Sequence, residues 1–317
     1  MPTFTLFERN AQTCVRIASL WNAAASPALA FGTEFVVFNT QPMPGLAQAG
    51  RLAWEGDRLA GVALASLVAA EGPFQGEAWL DLLAVAPGHQ RRGTGSALLA
   101  WAEGWLAEQG GRNVHVGGGL NPFAAGLPVE LGTQNFFLMR GYVVDEQPFE
   151  WDVARSLKDY QTLYPEPLPG ANLRPLQPGK EHELIAFLQR EFPGRWLYEV
   201  EQFFRIGGRA GDFMVLRTEI GVDGFCWMTF ADSARPLDRF YMHGLPRPWG
   251  QMGPLGVGAG CRGKGYGGAL IDAAACHLKA RGVDGSLIDW TSLLDLYSKF
   301  GYQPYRQYHM LSKTLAA

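Results

Sequence analysis

The chain repeats itself. Residues 85–99, VAPGHQRRGTGSALL, align with residues 257–271, VGAGCRGKGYGGALI, at a constant offset of 172. Val85 meets Val257, Gly88 meets Gly260, Gly93 meets Gly265 and Gly95 meets Gly267. The match runs on through Ala102 and Ala274, Leu106 and Leu278, Gly110 and Gly282. Apolar positions at helical spacing, closed by a glycine, predict a capped helix in each copy. Self-similarity on this scale points to a duplicated domain, and 317 residues are enough for two. The expected division is 1–154 for the first domain, a proline-rich linker over 155–171, and 172–317 for the second.

Composition narrows the partners. With 47% hydrophobic and 18% charged residues the chain can bury two cores, and a net charge of −3 gives no reason to expect nucleic acid or an anionic membrane. No apolar run reaches membrane-spanning length, and the start MPTFTLFERN lacks the basic head of a secretory signal. Cys14, Cys226, Cys261 and Cys276 are scattered without a C-x-x-C, which fits reduced thiols. The expectation is a cytoplasmic protein without a metal, either a monomer (an internal pseudo-dimer) or a homodimer.

The glycine-rich stretch 253–270 admits three phosphate-binding frames. Gly258, Gly260 and Gly263 spell the dinucleotide pattern G-x-G-x-x-G, with Asp289 as a ribose-binding acid, but Ala86 and Arg91 break it in the first copy. Gly263-Lys264-Gly265 lacks the Ser or Thr that a P-loop needs for magnesium. What both copies keep is Gln or Arg, two residues, Gly, one residue, Gly. A strand ends at Val85 or Val257, and a helix begins near the second glycine. There the free N–H groups of the first helical turn and the helix dipole favour an anion, and glycine lets the backbone approach it.

These motifs resemble the signature of the GNAT acyltransferase superfamily, Gln/Arg-x-x-Gly-x-Gly/Ala between the fourth strand and third helix. LYSKFGY (296–302) is similar to that family's Leu-Tyr-x-x-x-Gly-Phe, and FFLMRGY (136–142) is its counterpart at an offset of 160. The resemblance implies an α/β (α+β) chain of two tandem GNAT folds, each a mixed, mostly antiparallel sheet flanked by helices. It implies acetyl-CoA as cofactor. Its pyrophosphate would meet Gln90, Arg91, Arg92, Gly93, Thr94 and Gly95 after Val85 in the first copy. In the second it would meet Arg262, Gly263, Lys264, Gly265, Tyr266 and Gly267 after Leu255, Gly256 and Val257.

The chemistry the resemblance implies is attack by a neutral amine on the acetyl thioester, with an acid protonating the departing thiolate. Tyr297 matches the family's acid; Phe137 stands there in the first copy, which points to a catalytically silent first domain and an active second one. The family's glutamate on the fourth strand is replaced by Trp79 and Gln251. The base is therefore open between His243 and Asp289, or a water chain; Asp81 lies near the position, in the copy without the tyrosine. The family's coenzyme-touching Asn is replaced by Trp290 and Glu130. The acceptor, a small-molecule amine, is expected against 192–204, which carries aromatics, Glu199 and Glu201; Cys261 reads as a small loop filler. Two functions remain: an acetyl-CoA-dependent N-acetyltransferase acting in the C-terminal domain, and a non-catalytic acyl-CoA-binding or scaffold protein of the same fold.

Overall fold

The computed structural model describes residues 2–70, 74–164, 168–237 and 245–315. They form two compact units. The first contains β1 (Thr3–Leu6), α1 (Ala11–Ala24), α2 (Thr33–Asn39), β2 (Leu46–Glu55), β3 (Arg58–Val68), β4 (Glu77–Val85), α3 (Thr94–Glu108), β5 (Asn113–Val116), β6 (Leu127–Pro128), α4 (Gln134–Leu138) and the first part of β7 (Val143–Ser156). The second contains the end of β7, then β8 (Asn172–Pro175), α5 (Glu181–Glu191), α6 (Arg195–Arg205), β9 (Phe213–Thr218), β10 (Gly221–Thr229), β11 (Trp249–Val257), α7 (Tyr266–Ala280), β12 (Gly285–Thr291) and α8 (Leu294–Ser298). The last strand, β13 (Gln303–Thr314), starts in the second unit and from Arg306 belongs to the first.

Each unit is a mixed, mostly antiparallel sheet flanked by helices. In the first, β1, β2, β3 and β4 pair antiparallel in that order, and β4 pairs parallel with β5. In the second, β8, β9, β10 and β11 pair antiparallel and β11 pairs parallel with β12. The repeat is exact in register: Glu77 faces Asn113, and Trp249 faces Gly285, each 172 residues on. Helices α3 and α7 share that offset at both ends. Local sequence accounts for much of this. Asn10 caps α1 by accepting from the Thr13 N–H (2.9 Å), and Cys14, Ile17, Ala18 and Trp21 form its buried stripe. In α3 the buried face is Leu98, Leu99, Ala102 and Leu106, packed on Ala63, Ala65 and Leu80.

The units differ from a division at 154 and 172: residues 151–154 belong to the second and 306–315 to the first. Strand pairing is the reason. Val153 and Ala154 pair with Ile288 and Leu287 of β12, whereas Ser312 to Thr314 pair with His115 to Asn113 of β5. An uncovered sheet edge leaves backbone donors and acceptors unpaired. Each short parallel strand is thus covered by a strand from the end of the opposite repeat.

Candidate active site

In the first unit β4 and β5 part company. Their pairing ends at Leu80 and Val116, followed by one bond from the Gly117 N–H to the Leu80 carbonyl (3.0 Å). Residues 81–85 continue on β3 alone, so their other edge faces an opening. At the fork β4 bulges: Leu82 pairs with Leu64 and Leu80 with Ala65, which leaves Asp81 as the extra residue.

That fork opens into a cavity of about 790 Å³. Its walls include Asp81, Leu82, Leu83, Ala84 and Val85 of β4, Phe136 and Phe137 of α4, and Trp21, Ala24 and Ala25 at the end of α1. Asp81 is the carboxylate in that lining. It is 5% exposed and accepts from the Ser66 hydroxyl (2.8 Å) and the Gln48 amide (3.3 Å). Burial raises its carboxyl from the ordinary 3.8 to about 7, against the opposing pull of Ser66 and Gln48. A carboxyl that changes charge near neutrality, at the mouth of a fork, is suited to moving a proton.

The glycine loop closes the other end. Val85, Gln90, Arg91, Gly93 and Gly95 line the cavity; Arg92 and Thr94 do not. Gly93 takes φ 86° and Gly265 takes φ 80°, so both loops turn into their helices alike. Where the second loop has Gly263 (φ 76°), the first holds Arg91 at φ 58°, a left-handed backbone that costs an L-residue about 1 kcal/mol or more. The first motif residue, exposed in both copies, reaches back to the end of its strand. Gln90 Nε2 donates to the Val85 carbonyl (3.0 Å) and Arg262 Nε to the Val257 carbonyl (3.3 Å). Gln and Arg interchange there because each supplies one N–H to the strand end.

The second unit forks in the same register, ending at Met252 and Ile288. Gln251, fully buried, donates to Asp289 Oδ1 (2.5 Å) and leaves its own Oε1 unpartnered. Tyr297 is buried edge-on against Tyr302, and its hydroxyl is pushed above the ordinary 10, chiefly by burial and then by Cys226 and Asp289. Tyr297 and Asp289, expected as acid and base, are therefore near neighbours, and neither lines the 790 Å³ cavity. His243 lies outside the described residues. Trp290 adopts φ 52° under the Arg195 guanidinium, 4.0 Å from its ring centroid. Glu199 is tied to Arg195 (2.7 Å) and Phe192 and Trp196 pack on Phe225; within 192–204 Val200 and Phe203 are buried and the other residues stay at least partly exposed. Cys261 is buried and burial raises its thiol, as a loop filler requires.

The linker packs on the start of α7, while residues 262–265 of the second loop stay exposed. Asp272 of α7, 3% exposed, accepts from the Tyr160 hydroxyl (2.6 Å), the Thr162 hydroxyl (2.6 Å) and the Leu163 N–H (2.8 Å). Tyr164 lies so close over Gly268 that a Cβ there would collide with its hydroxyl and also crowd Phe300. Tyr266 donates to the Pro169 carbonyl (3.0 Å). Lys264 and Tyr266 line a separate, polar cavity of about 350 Å³; Leu255, Gly256, Val257, Arg262, Gly263, Gly265 and Gly267 line neither. In the first unit the positions matched to Gly268 and Phe300 are Ser96 and Arg140, and both line the open cavity. Sequence reasoning missed Ser96, Arg140, Ser66 and Gln48; the pairing of Arg140 against Phe300 in the two aligned motifs was the available signal. Among the described residues no cluster of three or more His, Cys, Asp or Glu is placed to hold a metal, and no helix is long and apolar enough to cross a membrane.

A sheet forked between its fourth and fifth strands, with a glycine loop feeding a helix at the fork, defines an acyltransferase fold of the GNAT class, here in tandem. The sequence profile described as "Acetyltransferase (GNAT) family" matches residues 19–132. A mycothiol acetyltransferase of Thermobispora bispora is 30% identical over 270 residues, 79% of this chain and 79% of that protein. In structure, the glucosamine N-acetyltransferase region of a fungal multi-domain GH3 beta-N-acetylglucosaminidase superposes with TM-score 0.85 at 25% identity, over 98% of this chain but 38% of that one. A tandem GNAT protein from the clavulanic acid biosynthesis pathway superposes with TM-score 0.72 at 16% identity, over 100% and 99% of the two chains. The chain belongs to the acetyltransferase (GNAT) family. It is an N-acetyltransferase acting on an amine-type acceptor.

Proposed function

We propose that the first unit holds acetyl-CoA and acetylates the amine of a small molecule, with Asp81 as the base. The observation that carries this reading is the 790 Å³ cavity, which joins the glycine loop, the fork and a carboxyl titrating at about 7. The residues present fit the coenzyme: nothing lies within 4 Å of a Cβ built on Gly93, as is also true of Gly265, and the first turn of α3 follows the loop. Acetyl-CoA supplies an activated acetyl thioester. The unpaired edge of β4 beyond Leu80 offers backbone N–H groups to the carbonyl oxygen. Asp81 takes the proton that the amine nitrogen sheds as the C–N bond forms. Protonated near neutrality, it can return that proton to sulfur as the C–S bond breaks, where Phe137 has none to give. Trp21, Ala24 and Ala25 give the acceptor an apolar wall.

Activity in the second unit, through Tyr297 and Asp289, is the competing reading, favoured by their proximity. Against it stands Tyr164, which packs over Gly268 at the start of α7. Calorimetric titration with acetyl-CoA separates the two. We expect one coenzyme per chain, binding abolished by Gly93→Glu and retained in Gly265→Glu; the reverse pattern would overturn the proposal. Because the relatives include a mycothiol acetyltransferase and a glucosamine N-acetyltransferase region, glucosamine is the first acceptor to test by thiol release.

A further inference from the structure

We propose that Arg140, steadied by Ser96, is a phosphate ligand that anchors the coenzyme in the first unit. The inference rests on the reading that this unit holds the coenzyme. Arg140 follows α4 and lines the cavity beside Gly93, Gly95 and Ser96. Its guanidinium carbon lies 3.8 Å from the Phe136 ring centroid, one nitrogen donates to the Phe136 carbonyl (2.6 Å) and another to the Ser96 hydroxyl (2.7 Å). Those contacts fix its orientation and use two of its five N–H groups. It forms no ion pair among the described residues. Ser96 sits in the first turn of α3, where the helix dipole is positive. A guanidinium held there is repelled by the helix end unless an anion lies between them. Ser96, accepting from Arg140, keeps its own O–H to donate to that anion. A phosphate group satisfies the cation, the hydroxyl and the free helix N–H groups together.

The second unit shows the converse. Gly268 and Phe300 replace the serine and the arginine, and Tyr164 packs where they leave room. The cation–hydroxyl pair occurs where the first turn of the helix lines a cavity and is missing where Tyr164 packs against it.

The test is calorimetric titration of the full chain with coenzyme A and with 3′-dephospho-coenzyme A, which needs no acceptor. Arg140→Met keeps an unbranched stem over Phe136 and removes the charge. It should weaken coenzyme A binding roughly 10- to 100-fold, the worth of a charged hydrogen bond. Arg140→Lys should recover much of the loss, and the ligand-free melting temperature should stay put in both. An equal loss with dephospho-coenzyme A assigns the pyrophosphate; a loss confined to coenzyme A assigns the 3′-phosphate. Unchanged affinity in Arg140→Met would overturn the clamp, as would equal losses in the Met and Lys variants with lowered melting temperatures. Gly93→Glu keeps the outcomes apart: if it abolishes binding while Arg140→Met does not, the site stands and the clamp falls. If Gly93→Glu leaves binding intact, the site itself is misassigned.

Discussion

Replacing Asp81 by asparagine separates the two consequences of burying one carboxyl. In the folded chain this group protonates at about 7, against an ordinary 3.8, so the folded state holds the proton more tightly than the unfolded state does. The wild type thus has no penalty below pH 3.8, loses stability as pH rises toward 7, and carries the full penalty above it. At ~1.4 kcal/mol per tenfold, the rise from 3.8 to about 7 amounts to about 4 kcal/mol. Asparagine has no proton to lose, but it gives up one of the two oxygens that accept from Ser66 and Gln48, a loss of about 1 kcal/mol. The variant should be more stable than wild type by about 3 kcal/mol at pH 8, or about 6–12 °C in Tm for a unit of this size. At pH 4 or below it should be less stable by about 1 kcal/mol. Urea unfolding and thermal scans at the two pH values measure the difference. Thiol release from acetyl-CoA at pH 8 should fall roughly 10²–10⁴-fold in the same variant, the usual worth of a general base. A stability difference equal at both pH values would refute the raised protonation point. Wild-type turnover in Asp81→Asn would refute the catalytic role.

Three other perturbations discriminate between the units. Tyr297→Phe should leave turnover within about threefold of wild type, whereas an acid role predicts a loss of at least ~10²-fold. Tyr164→Ala should clear the first turn of α7 and raise coenzyme stoichiometry from one toward two; a value still at one would mean that Tyr164 does not keep the coenzyme from the second unit. Arg91→Gly relieves a left-handed backbone and should raise the thermal stability of the first unit by about 1 kcal/mol, unless the extra freedom of glycine in the unfolded chain offsets it.

The repeat and its glycine frame were legible because they are local. A strand, a turn and a helix within about 35 residues fix their own geometry, and β4, β11, α3 and α7 begin and end at the sequence offset. The long-range contacts around each loop were not legible. Phe137 and Tyr297 argue for the second copy, whereas the structure adds Tyr164 over Gly268 and three linker donors on Asp272, contacts that span about a hundred residues. The value of Asp81 was hidden for the same reason. Its bulge is a register event between two strands, and its partners Gln48 and Ser66 come from neighbouring strands. An aspartate two residues from the family's glutamate looks misplaced in sequence until the bulge turns it into the fork.

The exchange of strand ends makes the two repeats inseparable, and this has a measurable consequence. Residues 306–315 complete the first unit although they lie about 200 residues beyond α3. Tyr308 and Leu311 are each 1% exposed there, and burying two such side chains is worth about 3–6 kcal/mol. Arg306 donates to the Ala28 carbonyl (2.8 Å) and pairs with Glu130, and Lys313 pairs with Glu103 (2.8 Å). The Gly126 backbone lies directly against the His309 carbonyl and Met310, so this strand also backs the cavity wall formed by Gly126, Leu127 and Pro128. Domains of this size have about 5–15 kcal/mol in total, so removing the strand and opening the β5 edge should unfold or loosen the first unit. A chain ending at Tyr305 is therefore expected to lose coenzyme A binding in a calorimetric titration, although every residue of the glycine loop remains. Digestion by a nonspecific protease should then cut first among residues 2–150. Undiminished affinity in the shortened chain would mean that the first repeat folds without its borrowed strand.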